Sequence, residues 1–109
     1  MASPFKRSAA INVGVAPVVV YTVPALKVST LIDCSCANVA AAAVKGTVRQ
    51  VEGATTVNLI KDGPIPLGGA MVVVGGPRKV VMLAGDQITA LCDTALGMDV
   101  AISYLEQDA

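Results

Sequence analysis

The sequence predicts an all-β protein, an antiparallel β-sandwich of jelly-roll-like form with about eight short strands, and three observations carry that prediction. Short apolar segments recur between turn signals at regular spacing, the pattern of a sandwich or barrel rather than of helices. The composition is 54% hydrophobic but only 3% aromatic, with valine the recurring choice, so the core is built from side chains that suit a pleated, half-buried surface. Several segments alternate apolar and polar residues with a period of two, as strands do when one face is buried and one is wet. A chain of 109 residues has room for one such core and not for two.

Residues 1–16 show no strict period and carry Pro4, Phe5, Lys6 and Arg7. They are expected to form an extended N-terminal arm ahead of a sandwich domain over residues 17–109. Arms fray unless something holds them, so docking on a neighbouring subunit is expected. Phe5, Lys6, Arg7, Ile11 and Val13 are the candidate contact residues.

The first strand is expected over 18–23, stopped by Pro24, which cannot donate to a ladder. The second runs over 27–36, with Val28, Thr30, Ile32 and Cys34 on one face. Residues 43–51 alternate most cleanly, with Val44, Gly46 and Val48 opposed to Lys45, Thr47 and Arg49. Glu52-Gly53 then turns the chain, and 55–61 returns as a hairpin partner with Val57 and Leu59 inward. Asp62-Gly63-Pro64 is expected to break that run, leaving loop through Gly69.

Strands over 70–74 and 79–83 flank Gly75-Gly76-Pro77, which reads as a second hairpin. Residues 87–92 follow with Ile88 and Ala90 inward, and 98–105 closes the fold with Met98, Val100, Ile102 and Tyr104 on one face. Between 37 and 44 a helix competes, because alanine is the best helix former and Asn38 stands where an N-cap would. Four consecutive alanines are too few to hold an isolated helix, so a loop crossing between sheets is expected there.

Eight Lys and Arg balance eight Asp and Glu, which leaves no field to attract nucleic acid or an anionic membrane. A net charge of zero with 15% charged residues instead predicts a subunit that lives in contact with others. Lys6-Arg7 before the apolar run 9–25 has the outline of a signal peptide, but Asn12, Gly14 and Pro17 interrupt it, and an unprocessed, soluble chain is expected. No apolar run reaches the ~20 residues that span a bilayer.

The chain has no His, the residue most used in general acid–base catalysis, and no enzymatic activity, catalytic residue, metal or cofactor is expected. Asp62, Asp86 and Asp93 stand in turns, where aspartate bonds the local backbone. No carboxylate cluster of the EF-hand kind appears. Gly68-Gly69 and Gly75-Gly76 lack the Lys and Ser or Thr of a phosphate loop. The basic pairs Lys6-Arg7 and Arg78-Lys79 lack the stacking aromatics of a nucleic-acid site. Two readings stand for Cys34, Cys36 and Cys92: small buried hydrophobes, or a disulfide from Cys34 or Cys36 to Cys92 or to a neighbouring subunit.

The run Val20-Tyr21-Thr22-Val23-Pro24-Ala25, with Lys27 close behind, resembles the opening of a group of small tailed-phage structural proteins. Lys61-Asp62-Gly63-Pro64-Ile65-Pro66 with Gly68-Gly69, then Leu83-Ala84-Gly85-Asp86, then Ile102-Ser103-Tyr104-Leu105-Glu106 follow that group's pattern in order. Leu26 occupies the place of a glycine in it. The resemblance covers about residues 20–106 and implies a small β-sandwich virion protein without enzymatic activity, assembled in the host cytoplasm. A homo-oligomer at the head–tail neck, collar or tail, against portal, tail or major capsid proteins, is expected of this chain. Capsid decoration is the alternative within that class, and a receptor- or glycan-binding module is the alternative outside it.

Overall fold

The computed structural model describes residues 4–75 and 79–109. Nine strands are present among them: β1 (Phe5–Val13), β2 (Val18–Thr22), β3 (Lys27–Asn38), β4 (Val44–Glu52), β5 (Thr55–Ile65), β6 (Ala70–Val74), β7 (Val80–Met82), β8 (Gln87–Cys92) and β9 (Met98–Asp108). They build two antiparallel sheets, ordered β1-β9-β3-β6 with β7 also on β3, and β2-β8-β4-β5. β6 pairs with Cys34 to Ala37 and β7 with Ser29 to Leu31, so these two short strands lie end to end along one edge of β3. Counted as one position, they give four positions in each layer and an order that winds from sheet to sheet as a jelly roll does.

All eight expected strands are there, and the segment 39–43 is the expected loop between sheets. The arm is a correction. Residues 5–13 are not an arm outside the domain but an edge strand of its own sheet, paired with β9 from Phe5↔Leu105 to Val13↔Met98. The inward positions of β1 are Lys6, Ser8 and Ala10, opposite Tyr104, Ile102 and Val100. An edge strand covers the core with one polar and two small residues, so no apolar period betrays it in the sequence.

Three further expectations are corrected. β6 and β7 do not pair with each other as a hairpin; both pair with β3, and residues 76–78 between them lie outside the described residues. Asp62-Gly63-Pro64 does not end β5. A bulge with Asp62 at φ 51° carries the strand on, and Pro64 sits opposite Lys45 on the free edge of the sheet, where its missing N–H costs no ladder bond. On β3 a bulge between Leu31 and Asp33 switches the pattern, so Ser29 and Leu31 face the core with Cys34 and Cys36, while Val28, Thr30 and Ile32 stay partly exposed. Val57 is likewise exposed and Leu59 only half-buried, on β5 at the edge of its sheet.

The core between the layers is aliphatic, with Leu31, Ile65, Met82, Ile88, Met98 and Ile102 fully buried. Glycine makes room within it. Gly46 lies across from Gly63, and a Cβ on Gly46 would come within 2.8 Å of Met98 Sδ. At one end of the core Asn38 serves as a buried anchor: its Nδ2 donates to the carbonyls of Ala42 at 2.9 Å, Ile65 at 3.0 Å and Pro66 at 3.2 Å, and its Oδ1 accepts from Ala40 N.

At the β2–β3 turn the Lys27 amide donates to the Pro24 carbonyl, and Leu26 holds φ at 64° with its side chain 82% exposed. A leucine there bears the left-handed penalty of about 1–2 kcal/mol, and its side chain gains little from packing. Leu26→Gly is therefore expected to raise Tm by about 4 °C, after allowance for the extra freedom of glycine in the unfolded chain. A calorimetric scan showing an unchanged or lower Tm would refute this reading of the turn.

Candidate assembly surface

The largest polar cluster spans both sheets at one end of the sandwich. Tyr21 on β2 and Tyr104 on β9 stack with ring centroids 3.9 Å apart. The Tyr21 hydroxyl sits 2.6 Å from Ser29 Oγ and donates to Glu106 Oε2 at 2.7 Å, while Lys6 Nζ donates to Glu106 Oε1 at 2.9 Å. Ser8 Oγ and the Tyr104 hydroxyl share a further bond at 3.0 Å. Burial pushes the Tyr21 hydroxyl well above its ordinary pKa, and the bonds from Lys6 and Tyr21 hold the Glu106 carboxyl below its ordinary value. Both groups are thus displaced away from neutrality, as suits a strut tying β1, β2, β3 and β9 together rather than a proton relay.

The remaining candidate residues have local roles. Asp86 Oδ2 accepts from Leu83 N, and Asp93 Oδ1 accepts from Lys45 N and Thr94 Oγ1, the backbone work expected of turn aspartates. The bond from the Lys45 amide, first among several, holds Asp93 below the usual carboxylate range. Cys34, Cys36 and Cys92 are all buried free thiols, so the expectation of a disulfide within the chain is corrected in favour of the buried-hydrophobe reading. Cys34 holds its proton above the ordinary range because it donates to the Cys36 sulfur and is buried, and burial likewise raises Cys92. A thiol kept protonated is a poor nucleophile for oxidation. Among the described residues no three His, Cys, Asp or Glu side chains gather where they could hold a metal, and no helix is long and apolar enough to cross a membrane.

The two outer faces differ in chemistry. On the β2-β8-β4-β5 sheet polar side chains bond along the surface, Arg49 Nε to Asn58 Oδ1 at 3.2 Å and Gln87 Nε2 to Thr22 Oγ1 at 3.4 Å. The outer face of the β1-β9-β3 sheet mixes small and polar side chains with the large exposed apolar ones of Phe5 and Ile11. Its outward rows follow from the register: Phe5 beside Leu105 and Thr30, then Arg7 beside Ser103 and Asp33, then Ala9 beside Ala101 and Ser35. Beyond β3 the exposed valines Val72 and Val81 extend this face. A shallow groove crosses it along Phe5, Arg7, Ile32 and Ser103.

Of the candidate contact residues, Phe5, Arg7 and Ile11 lie exposed on β1, with Phe5 64% and Ile11 73% accessible. Lys6 is turned to Glu106. Val13 is corrected: at 1% exposure it belongs to the core and offers no contact surface. Sequence reasoning missed Ile32, Val72, Val81, Ala101 and Ser103 on this face. The alternation in β9 carried the signal for the last two, since Ala101 and Ser103 fall between the inward Val100, Ile102 and Tyr104.

No protein-family model, curated protein or solved structure gives a significant match to this chain.

Proposed function

We propose that this protein is a non-enzymatic structural subunit of a tailed-phage particle, assembling as an oligomer at the head–tail neck, collar or tail. The observation that carries the reading is the set of large apolar side chains, Phe5, Ile11, Val72 and Val81, left exposed on the outer side of one sheet. Several large apolar side chains exposed on one side of a small domain mark a surface suited to being covered. The ordered likeness of the turn and strand segments to phage structural proteins supplies the particle as the setting. Jelly rolls also serve sugar-binding proteins, so fold alone does not choose between these uses. Phe5 is the one exposed aromatic side chain among the described residues, a thin basis for stacking on a sugar ring.

Mass spectrometry of purified particles is expected to find the chain at a fixed copy number, and an electron-microscopy map to place it at the neck or tail. Its absence from particles, together with a specific hit on a glycan array, would replace this reading with that of a receptor-binding module.

A further inference from the structure

We infer that the outer face of the β1-β9-β3 sheet receives a second copy of this chain, stacked face to face about a two-fold axis running along β9, so that Arg7 of each copy meets the partner's Asp33. The inference rests on the assembly reading above and specifies its partner and geometry. It begins from the register. Arg7 on β1 and Asp33 on β3 both lie opposite Ser103 of β9, so they occupy one row on either side of the central strand. Strands sit about 4.8 Å apart, which separates these two backbones by about 10 Å within one copy.

Among the described residues neither side chain has an ion-pair partner in its own chain, whereas Lys6 and Lys27 are paired with Glu106 and Asp108. A two-fold axis along β9 exchanges the places of β1 and β3. Arg7 then stands over the partner's Asp33 and Asp33 over the partner's Arg7, two equivalent contacts from one symmetry operation. The neighbouring rows accept the same operation, since Ala9 falls over the partner's Ser35 and Phe5 over the partner's Thr30. At the axis Ala101 and Ser103 are small and Leu105 is apolar, so the sheets can approach to the usual ~10 Å.

Asp99 is the remaining charge on β9 near this face. Its Oδ1 accepts the Asn12 amide at 2.9 Å at the β1 bulge, four residues from the Ser103 row. Stacked sheets cross at about 30°, so the two Asp99 side chains diverge toward the rim and remain in solvent. Four strand positions over the length of β9 offer on the order of 600 Å² per copy. That is somewhat below the ~800 Å² of a standard interface and suits a dimer of micromolar affinity.

Sedimentation velocity on the full chain tests the geometry. The wild type is expected to dimerise below about 100 μM, Arg7→Asp and Asp33→Arg to weaken self-association at least tenfold, and an equimolar mixture of the two variants to recover it. In the mixed dimer both contacts regain opposite charges. Circular dichroism should show both variants folded, since each change is at a surface position. A mixture that stays monomeric, or single variants that associate as tightly as the wild type, would overturn the two-fold arrangement while leaving the particle reading intact. A wild type that is monomeric throughout would overturn it too, and the particle reading would still be decided by mass spectrometry of the particles.

Discussion

Asn38→Ala is expected to lower stability by about 3 kcal/mol, the combined loss from several buried backbone groups left unpaired. The Asn38 amide satisfies the carbonyls of Ala42, Ile65 and Pro66, and its oxygen accepts from the Ala40 amide, all at the crossing from one sheet to the other. Alanine fills part of the space and none of these bonds. Water reaches some of the freed groups, which is why the expected cost is smaller than the sum of the separate penalties. Asn38→Asp is expected to be at least as damaging, because it puts a carboxylate oxygen where the amide nitrogen faces carbonyl oxygens. Urea unfolding measures both, and a loss below about 1 kcal/mol for Asn38→Ala would show that the loop holds its shape without this anchor.

Glu106→Ala is the second large effect, expected at about 2 kcal/mol near neutral pH, because it leaves the Tyr21 hydroxyl without its carboxylate acceptor. The loss depends on pH in a defined direction. The native carboxyl is held below its ordinary value of 4.5, so the unfolded chain takes up the proton first as the solution is acidified. The contribution of Glu106 is thus complete above the ordinary carboxylate value and disappears as pH falls through the lower native one. The stability difference between wild type and Glu106→Ala should shrink over that acid range. A difference that stays constant down to about pH 2 would mean that the charge on Glu106 plays no part, and that the variant loses only packing.

The strand positions were largely legible in the residues, and the candidate surface was legible only in fragments. β8 and β9 show why the strands could be read: Ile88, Ala90 and Cys92, and then Met98, Val100, Ile102 and Tyr104, alternate without interruption and all are buried. β3 shows the limit. Its period is broken by a bulge at Ile32, and one extra residue sends every later side chain to the opposite face, so extrapolation from Cys34 back to Val28 placed three residues wrongly. β1 was hidden for another reason. Its inward residues, Lys6, Ser8 and Ala10, look like a solvated segment until β9 is laid beside them. The surface was read at Phe5, Arg7 and Ile11 but not at Val72 or Val81, which join it only because β6 and β7 share one edge of β3.

By itself the sequence determined an all-β chain: where every strand but the first lies, where most turns fall, and that no excess charge or histidine is available for other kinds of chemistry. These properties are local, since period, β-branching and turn residues act over a few neighbours. Tertiary structure alone decided which strands pair, which apolar side chains are left exposed together, and that Arg7 and Asp33 flank the same serine. Those outcomes depend on bringing Phe5 beside Leu105 and Lys27 beside Asp108, residues at opposite ends of the chain, and burial of the shared core rather than any local preference selects such pairings.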